Sequence, residues 1–307
     1  MVMAGVGESG TRRCGFVALI GAPNAGKSTL LNALVGAKVS IVTPKVQTTR
    51  NVLRGIAIAG ETQMVFIDTP GIFAPKRRLD RAMVSAALSS AADADIAALL
   101  IDAKKGLDDE ARAIIDRLAK VPHQKILVLN KIDLVPRERL LGLAQEANGL
   151  LAFERTFMVA AKNGAGVADV FEFFTTHLPQ GPWHYPADEI TDLPQRLMAA
   201  EITREKLYLR LHEELPYQST VETDSWKELR DGAVRIEQSI YVERESQRKI
   251  VLGEGGRMIK AISMDARKEI ADAVERKVHL FLHVKVREDW GDDPERYRAA
   301  GLEFPKE

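Results

Sequence analysis

The sequence predicts an α/β domain built on a mostly parallel sheet, followed by a smaller α+β domain, and three observations carry that prediction. Short apolar runs at 16–20, 64–67, 96–101, 126–129 and 157–160 alternate with helical stretches at 27–35, 82–92, 108–119, 138–147 and 167–177, the rhythm of strands joined by crossover helices. The segment LPQGPWHYPADEITDLP at 178–194 then interrupts regular structure, because its four prolines and one glycine suit neither a helix nor a central strand. Beyond it the order becomes α-β-β-α-α-β, with helix 195–212, strands 219–229 and 232–242, helices 246–252 and 257–276, and strand 278–286.

Each part has its reason. Residues 1–13 are Gly-rich and lack an apolar core, so they read as a disordered leader and not as an export signal. The first domain spans 14–178, the linker 179–194, the second domain 195–290 and a tail 291–307; a chain of 307 residues exceeds one comfortable core. Within the first domain, 52–59 and 62–67 lie close enough around Gly60-Glu61 to form a hairpin, which predicts one antiparallel edge strand.

Composition excludes more than it assigns. No apolar stretch reaches membrane-spanning length. The single cysteine, Cys14, rules out an internal disulfide and fits a reduced, cytoplasmic setting. The 43 basic residues are balanced by 43 acidic ones, which argues against a chain that coats nucleic acid by bulk charge but leaves room for a local basic groove. His123, His184 and His212 have no partners at metal-ligand spacing, so a zinc site is not expected.

The motif Gly21-Ala22-Pro23-Asn24-Ala25-Gly26-Lys27-Ser28-Thr29 stands between the first apolar run and the first helix. Gly21 and Gly26 permit a tight turn whose N–H groups face phosphate, Lys27 supplies a point charge for the β- and γ-phosphates, and Ser28 offers a hydroxyl to Mg²⁺. Asn24, Ala25 and Thr29 complete the cradle of a nucleoside triphosphate. Asn130-Lys131-Ile132-Asp133 follows the fourth apolar run. A carboxylate at Asp133 can accept from the adjacent N1–H and N2–H₂ of guanine, a pair that adenine lacks, while Asn130 holds the loop and Lys131 covers the ring. Asp68-Thr69-Pro70-Gly71 ends another apolar strand; Asp68 suits Mg²⁺ through water and the Gly71 N–H suits the γ-phosphate. The expected ligands are therefore GTP or GDP with Mg²⁺.

On these motifs the first domain resembles the translation-factor-like branch of P-loop GTPases. The resemblance makes Gln47-Thr48-Thr49-Arg50 the first switch, with Thr49 closing over Mg²⁺ and the γ-phosphate, so that Ser28, Thr49 and Asp68 form the metal set and Lys27, Thr49 and Gly71 the catalytic set. It carries over only the N–H of Ala161 toward the guanine carbonyl, since Ala160-Ala161-Lys162 lacks the usual serine. Ras-like GTPases have a water-orienting glutamine where this chain has Ile72, so slow unassisted hydrolysis is expected. Asn24 reads either as a loop residue tolerant of unusual backbone angles or, by the resemblance, as a residue that helps hold K⁺ near the phosphates.

In the second domain, Val251-Leu252-Gly253-Glu254-Gly255-Gly256-Arg257-Met258-Ile259-Lys260 sets a GxxG loop between two helices. Such a loop lets a nucleic-acid backbone approach closely, and Arg244, Arg248, Lys249, Arg257 and Lys260 surround it. The element order and this loop resemble a type II KH domain, with Gly253, Gly255 and Gly256 shaping the RNA contact; Glu254 departs from the pattern, because an acid repels phosphate. Trp183, Tyr185 and Tyr217 read as residues that fasten the linker more readily than as base-stacking platforms.

The pairing of a P-loop GTPase domain with a KH RNA-binding domain, with Ala-Glu-Ile-Thr-Arg-Glu-Lys-Leu at 200–207 and Glu-Leu-Pro-Tyr at 214–217, resembles the Era family of GTPases. The resemblance implies a monomeric GTP switch that binds small-subunit ribosomal RNA near its 3′ end and assists maturation of the small ribosomal subunit. Peripheral association with the inner face of the cell membrane is a further expectation. Two alternatives stay open at this point: a P-loop kinase or ATPase with an unrelated second domain, and a GTPase whose C-terminal domain docks a protein or the membrane surface.

Overall fold

The computed structural model describes residues 12–46, 48–75, 77–212, 215–288, 290 and 293–305. The described residues divide into two compact units, one drawn from 1–40, 49–192 and 300–307 and the other from 41–48 and 193–299.

The first unit is a six-stranded sheet of β1 (Arg13–Gly21), β2 (Leu53–Ala59), β3 (Thr62–Asp68), β4 (Ile96–Asp102), β5 (Gln124–Asn130) and β6 (Arg155–Val159), in the order β2-β3-β1-β4-β5-β6. Every pairing is parallel except β2 with β3, which is the expected antiparallel edge. The helices are α1 (Lys27–Val35), α2 (Arg78–Asp93), α3 (Asp109–Leu118), α4 (Arg137–Leu150) and α5 (Val167–His177). All of β3 and nearly all of β1 and β4 are buried, as strands covered on both faces must be, and this is why they read as continuous apolar runs and not as alternating ones. β1 lies between β3 and β4, so the loop leaving its C-terminal end opens at a topological switch point, where ligands of such sheets bind.

The predicted linker, 179–194, is fastened to the first unit as far as Asp192. The Gln63 side chain, fully buried, accepts from the N–H groups of His184 (2.8 Å) and Tyr185 (3.0 Å) and donates to the Tyr185 carbonyl (2.7 Å). Trp183 Nε1 donates to the Glu61 carbonyl at 3.0 Å, His184 stacks on Phe16, and Arg54 pairs with Asp192 at 2.8 Å. The prolines prevent helix and central strand but leave side chains and alternate backbone groups free to bond. The aromatic residues here thus serve as fasteners.

The second unit holds α6 (Gln195–Arg210), β7 (Ser219–Glu228), β8 (Val234–Val242), α7 (Glu245–Leu252), α8 (Arg257–Val274), β9 (Val278–Val286) and α9 (Pro294–Ala299). Its sheet has the order β7-β8-β9, antiparallel then parallel. Ala199 and Ile202 of α6 pack with Val234 and Ile236 of β8 and with Ala266 and Ile270 of α8 in one core; Leu207, Ile240, Val251 and Ile262 form a second. Part of the predicted tail is helical, as α9. Its apolar signal is thin, which hid it.

Candidate functional site

The phosphate loop is assembled by backbone constraints. Gly26 caps α1 from the left-handed region, at φ 98°, and no side chain caps the helix, so the N–H groups of its first turn face outward toward an anion. Asn130 Nδ2 donates to the Ala25 carbonyl at 2.9 Å. A Cβ on residue 26 would lie 2.1 Å from that same nitrogen, so glycine is required both for its φ and for this approach. Asn24 is also left-handed, at φ 62°.

Lys27 is buried, and its ammonium donates to the carbonyls of Gly21 and Ala22, each at 3.1 Å. Burial pulls its pKa from 10.5 down to about 8, against the opposing pull of the Asp68 carboxylate. Asp68, wholly buried at the end of β3, receives three hydroxyls on one oxygen: Ser28 at 2.6 Å, Ser40 at 2.8 Å and Thr49 at 3.3 Å, all on Oδ2. Burial raises the Asp68 pKa, and the hydroxyl of Ser28, the Lys27 charge and the other two hydroxyls oppose that rise. Its second oxygen, Oδ1, is buried with no hydrogen-bond partner. Such an acceptor is costly to leave alone. With Ser28 and Thr49 hydroxyls 2.9 Å apart beside it, the donor set is all hard oxygen and suits Mg²⁺. Among the described residues no cluster of three or more His, Cys, Asp or Glu could hold a metal by itself, so any metal here would depend on hydroxyls, water and phosphate.

Gly71 packs against the phosphate loop: a Cβ there would be 2.7 Å from Pro23 N. The loop after β3 is therefore pressed onto the loop after β1, and the Ile72 N–H ties them with a bond to the Gly21 carbonyl at 3.1 Å. The Ile72 side chain turns into the core and is 3% exposed. It offers no polar group to water.

The base-recognition residues are joined through Asn130, whose Oδ1 accepts from the N–H groups of Lys131 (2.8 Å) and Ala161 (3.1 Å). The Ala161 N–H assigned to the guanine carbonyl is thus also the bond that fixes the 160–162 loop to Asn130. Lys131, at φ 64°, donates to the Asn24 carbonyl and to Asp102 Oδ2, each at 2.7 Å, which ties its ammonium to the phosphate loop and to the end of β4. Asp133 sits in a short 3₁₀ turn and lines an open cavity with Ile132, Met158 and Ala160. Of the residues proposed for the nucleotide, Gln47 alone lies outside the described residues. Sequence reasoning missed Ser40 and Asp102, because a lone serine in a loop and a strand-end aspartate carry no motif.

In the second unit, Gly253, Gly255 and Gly256 all have positive φ, at 72°, 61° and 76°. Nothing stands within 4 Å of where a Cβ on Gly255 or Gly256 would be, so the loop presents bare backbone. Lys249 in the last turn of α7 and Lys260 in the first turn of α8 are exposed next to it, whereas Arg244, also exposed, stands at the opposite end of α7. Arg257, by contrast, pairs with Glu254, and Arg248 pairs with Glu245 at 2.9 Å. Ile250, also on α7, is 55% exposed.

Comparison with known proteins accords with both units. A family described as 50S ribosome-binding GTPase matches residues 16–131, and the KH domain family matches residues 214–291. GTPase Era of a Bradyrhizobium species is 65% identical over 298 residues, 97% of each chain. GTPase Era of Brucella melitensis is 62% identical over 298 residues, 97% of this chain and 96% of that protein. Among solved structures, Era in complex with MgGDPNP and nucleotides 1506–1542 of 16S ribosomal RNA has a TM-score of 0.89 at 38% identity, covering 94% of this chain and 99% of the other. A variant of Aquifex aeolicus Era bound to GDP.AlF4⁻ has the same TM-score, identity and coverage.

Proposed function

The chain belongs to the Era family of GTPases, and from that membership we propose that it is a GTP-operated switch that binds small-subunit ribosomal RNA near its 3′ end and assists assembly of the small subunit. The observation that carries the proposal is the convergence of Ser28, Ser40 and Thr49 on the half-satisfied Asp68. Such a cluster responds to Mg²⁺ and the γ-phosphate, because Thr49 gains its contact in the triphosphate state alone, which is the differential free energy a switch needs. The bound Mg²⁺ would neutralise charge developing on the phosphates. Lys27 would turn its ammonium from the Gly21 and Ala22 carbonyls onto phosphate oxygens, and Gly71 would present its N–H to the γ-phosphate.

The RNA ligand follows the relative solved with nucleotides 1506–1542 of 16S RNA, and the bare glycine backbone with its exposed cations supports it. With Ile72 buried, unassisted hydrolysis is slow. The same reading gives Asn24 a part in holding K⁺ against the phosphates; turnover unchanged when Na⁺ replaces K⁺ would remove that part. It also makes the protein a cytoplasmic monomer with peripheral contact at the inner membrane face, to be checked by fractionation and sedimentation. The test of the switch is the affinity for a 16S 3′-end oligonucleotide with a non-hydrolysable GTP analogue and with GDP. Tighter binding in the analogue state is expected, and equal affinities overturn the coupling. For the base, Asp133→Asn should weaken GTP and favour xanthosine nucleotides.

A further inference from the structure

The segment 41–48 leaves the Asp68 cluster and returns to it. Ser40, before it, and Thr49, after it, both donate to Asp68 Oδ2, while the segment itself belongs to the second unit. There it is held by α6 and the residue that follows it. Val42 N–H donates to Glu205 Oε1 at 2.9 Å, Lys45 Nζ donates to the Leu211 carbonyl at 2.6 Å, and Arg204 Nη2 donates to the Thr48 carbonyl at 2.6 Å. Arg204 is 2% exposed and Glu205 2%. Arg204 is itself bonded to Glu201, and Glu205 to Lys206, which also pairs with Glu269 of α8. Two buried charges on one turn of a helix are expensive unless each is paired. Here both spend hydrogen bonds on the backbone of a loop that is distant in sequence. The run at 200–207 that supports the family resemblance thus contains a device that the nucleotide and RNA sites leave unexplained.

We propose that Arg204 and Glu205 are positioning residues for Thr49: they grip 41–48 so that the state of the Asp68 cluster, felt at Ser40 and Thr49, is passed to α6 and hence to the KH unit. This rests on the GTP-dependent RNA binding proposed above. Any displacement of Thr49 toward Mg²⁺ and phosphate pulls on the Thr48 carbonyl through one peptide bond, and the Arg204 guanidinium is the group that resists or follows. A planar guanidinium, whose donors are fixed in a rigid fork, is suited to this, whereas the donors of an ammonium rotate on a flexible stem.

The test uses the full chain with Arg204→Ala, Glu205→Ala, Glu205→Gln and Lys45→Ala. Three quantities are read: GDP affinity, GTP-analogue affinity in Mg²⁺, and the ratio of RNA affinities between the two states. Arg204→Ala and Glu205→Ala should leave GDP affinity within about twofold, lower analogue affinity about tenfold and bring the RNA ratio close to one. Glu205→Gln keeps an oxygen for the Val42 N–H and should restore most of the ratio, a rescue that a general loss of packing would not give. Lys45→Ala changes a side chain that is only partly buried, folds whether or not the α6 variants do, and should reduce the ratio about threefold. A wild-type ratio of one defeats the switch itself. A wild-type ratio above one that persists in folded Arg204→Ala and in Lys45→Ala defeats the positioning role alone.

Discussion

The two polar sites of this chain are built in opposite ways. At the nucleotide site the charges are already bonded within the protein: buried Lys27 to two carbonyls, buried Asp68 to three hydroxyls, half-buried Lys131 to Asp102. At the GxxG loop the charges are exposed and the backbone is bare, with Glu254 bound to one of the arginines. The first arrangement gives geometry that salt hardly screens; the second gives attraction that is salt-dependent and tolerant of sequence. A single γ-phosphate must be discriminated by position, whereas an RNA backbone is attracted by many weak contacts.

The sharpest way to break this contrast is Gly26→Ala. The added methyl meets Asn130 Nδ2 at 2.1 Å and forces φ 98° on a residue with a Cβ, so GTP affinity should fall on the order of 100-fold or more by fluorescent-nucleotide titration, while RNA affinity without nucleotide stays unchanged. A smaller loss would mean that the loop is softer than its packing indicates.

Next comes pH. Lys27 in the free protein loses its proton through about 8, against 10.5 when unperturbed, and phosphate binding restores the charge. GTP affinity should therefore drop about tenfold between pH 7 and pH 9, with proton uptake on binding. The stability contribution has the other sign. Between about 8 and 10.5 the unfolded chain holds more protons at this group than the folded chain, so its desolvation penalty on folding is relieved as pH rises through that window. A flat affinity profile, measured by calorimetry in two buffers, would show that Lys27 stays charged throughout.

The RNA loop should respond more gently. Lys260→Ala removes an exposed cation and should reduce the salt slope of RNA binding by roughly 0.7, whereas Arg257→Ala should change it less, because Glu254 already offsets that charge. The smallest effect is expected from Glu254→Gln, a gain in RNA affinity of about two- to threefold. Equal slopes for the two cation variants would mean that the Glu254 pair opens on RNA binding.

Much of the fold was legible because its strands are buried on both faces. β1, β4 and β5 show as apolar runs with few alternatives, and β9 was read to the residue at 278–286. The linker's aromatic residues read as fasteners, but their partner did not show, because proline reports what backbone cannot do and says nothing of what side chains such as Gln63 will accept. The phosphate-loop and Asn130–Asp133 motifs stood out because phosphate and guanine impose spacing on contiguous residues. Ser40, Asp102 and Arg204 were not, since each acts through partners 28, 29 and 156 positions away.

The sequence by itself determined the motifs: a glycine turn, a lysine, the Asn130–Asp133 run and a second glycine loop, each written in a few adjacent residues whose local backbone sets the geometry. Tertiary structure alone decided which hydroxyls share Asp68 and which helix holds 41–48. Those choices follow from burial, which leaves a carboxylate or guanidinium with no water and so makes it take the nearest donor or acceptor that folding brings, whatever its distance along the chain.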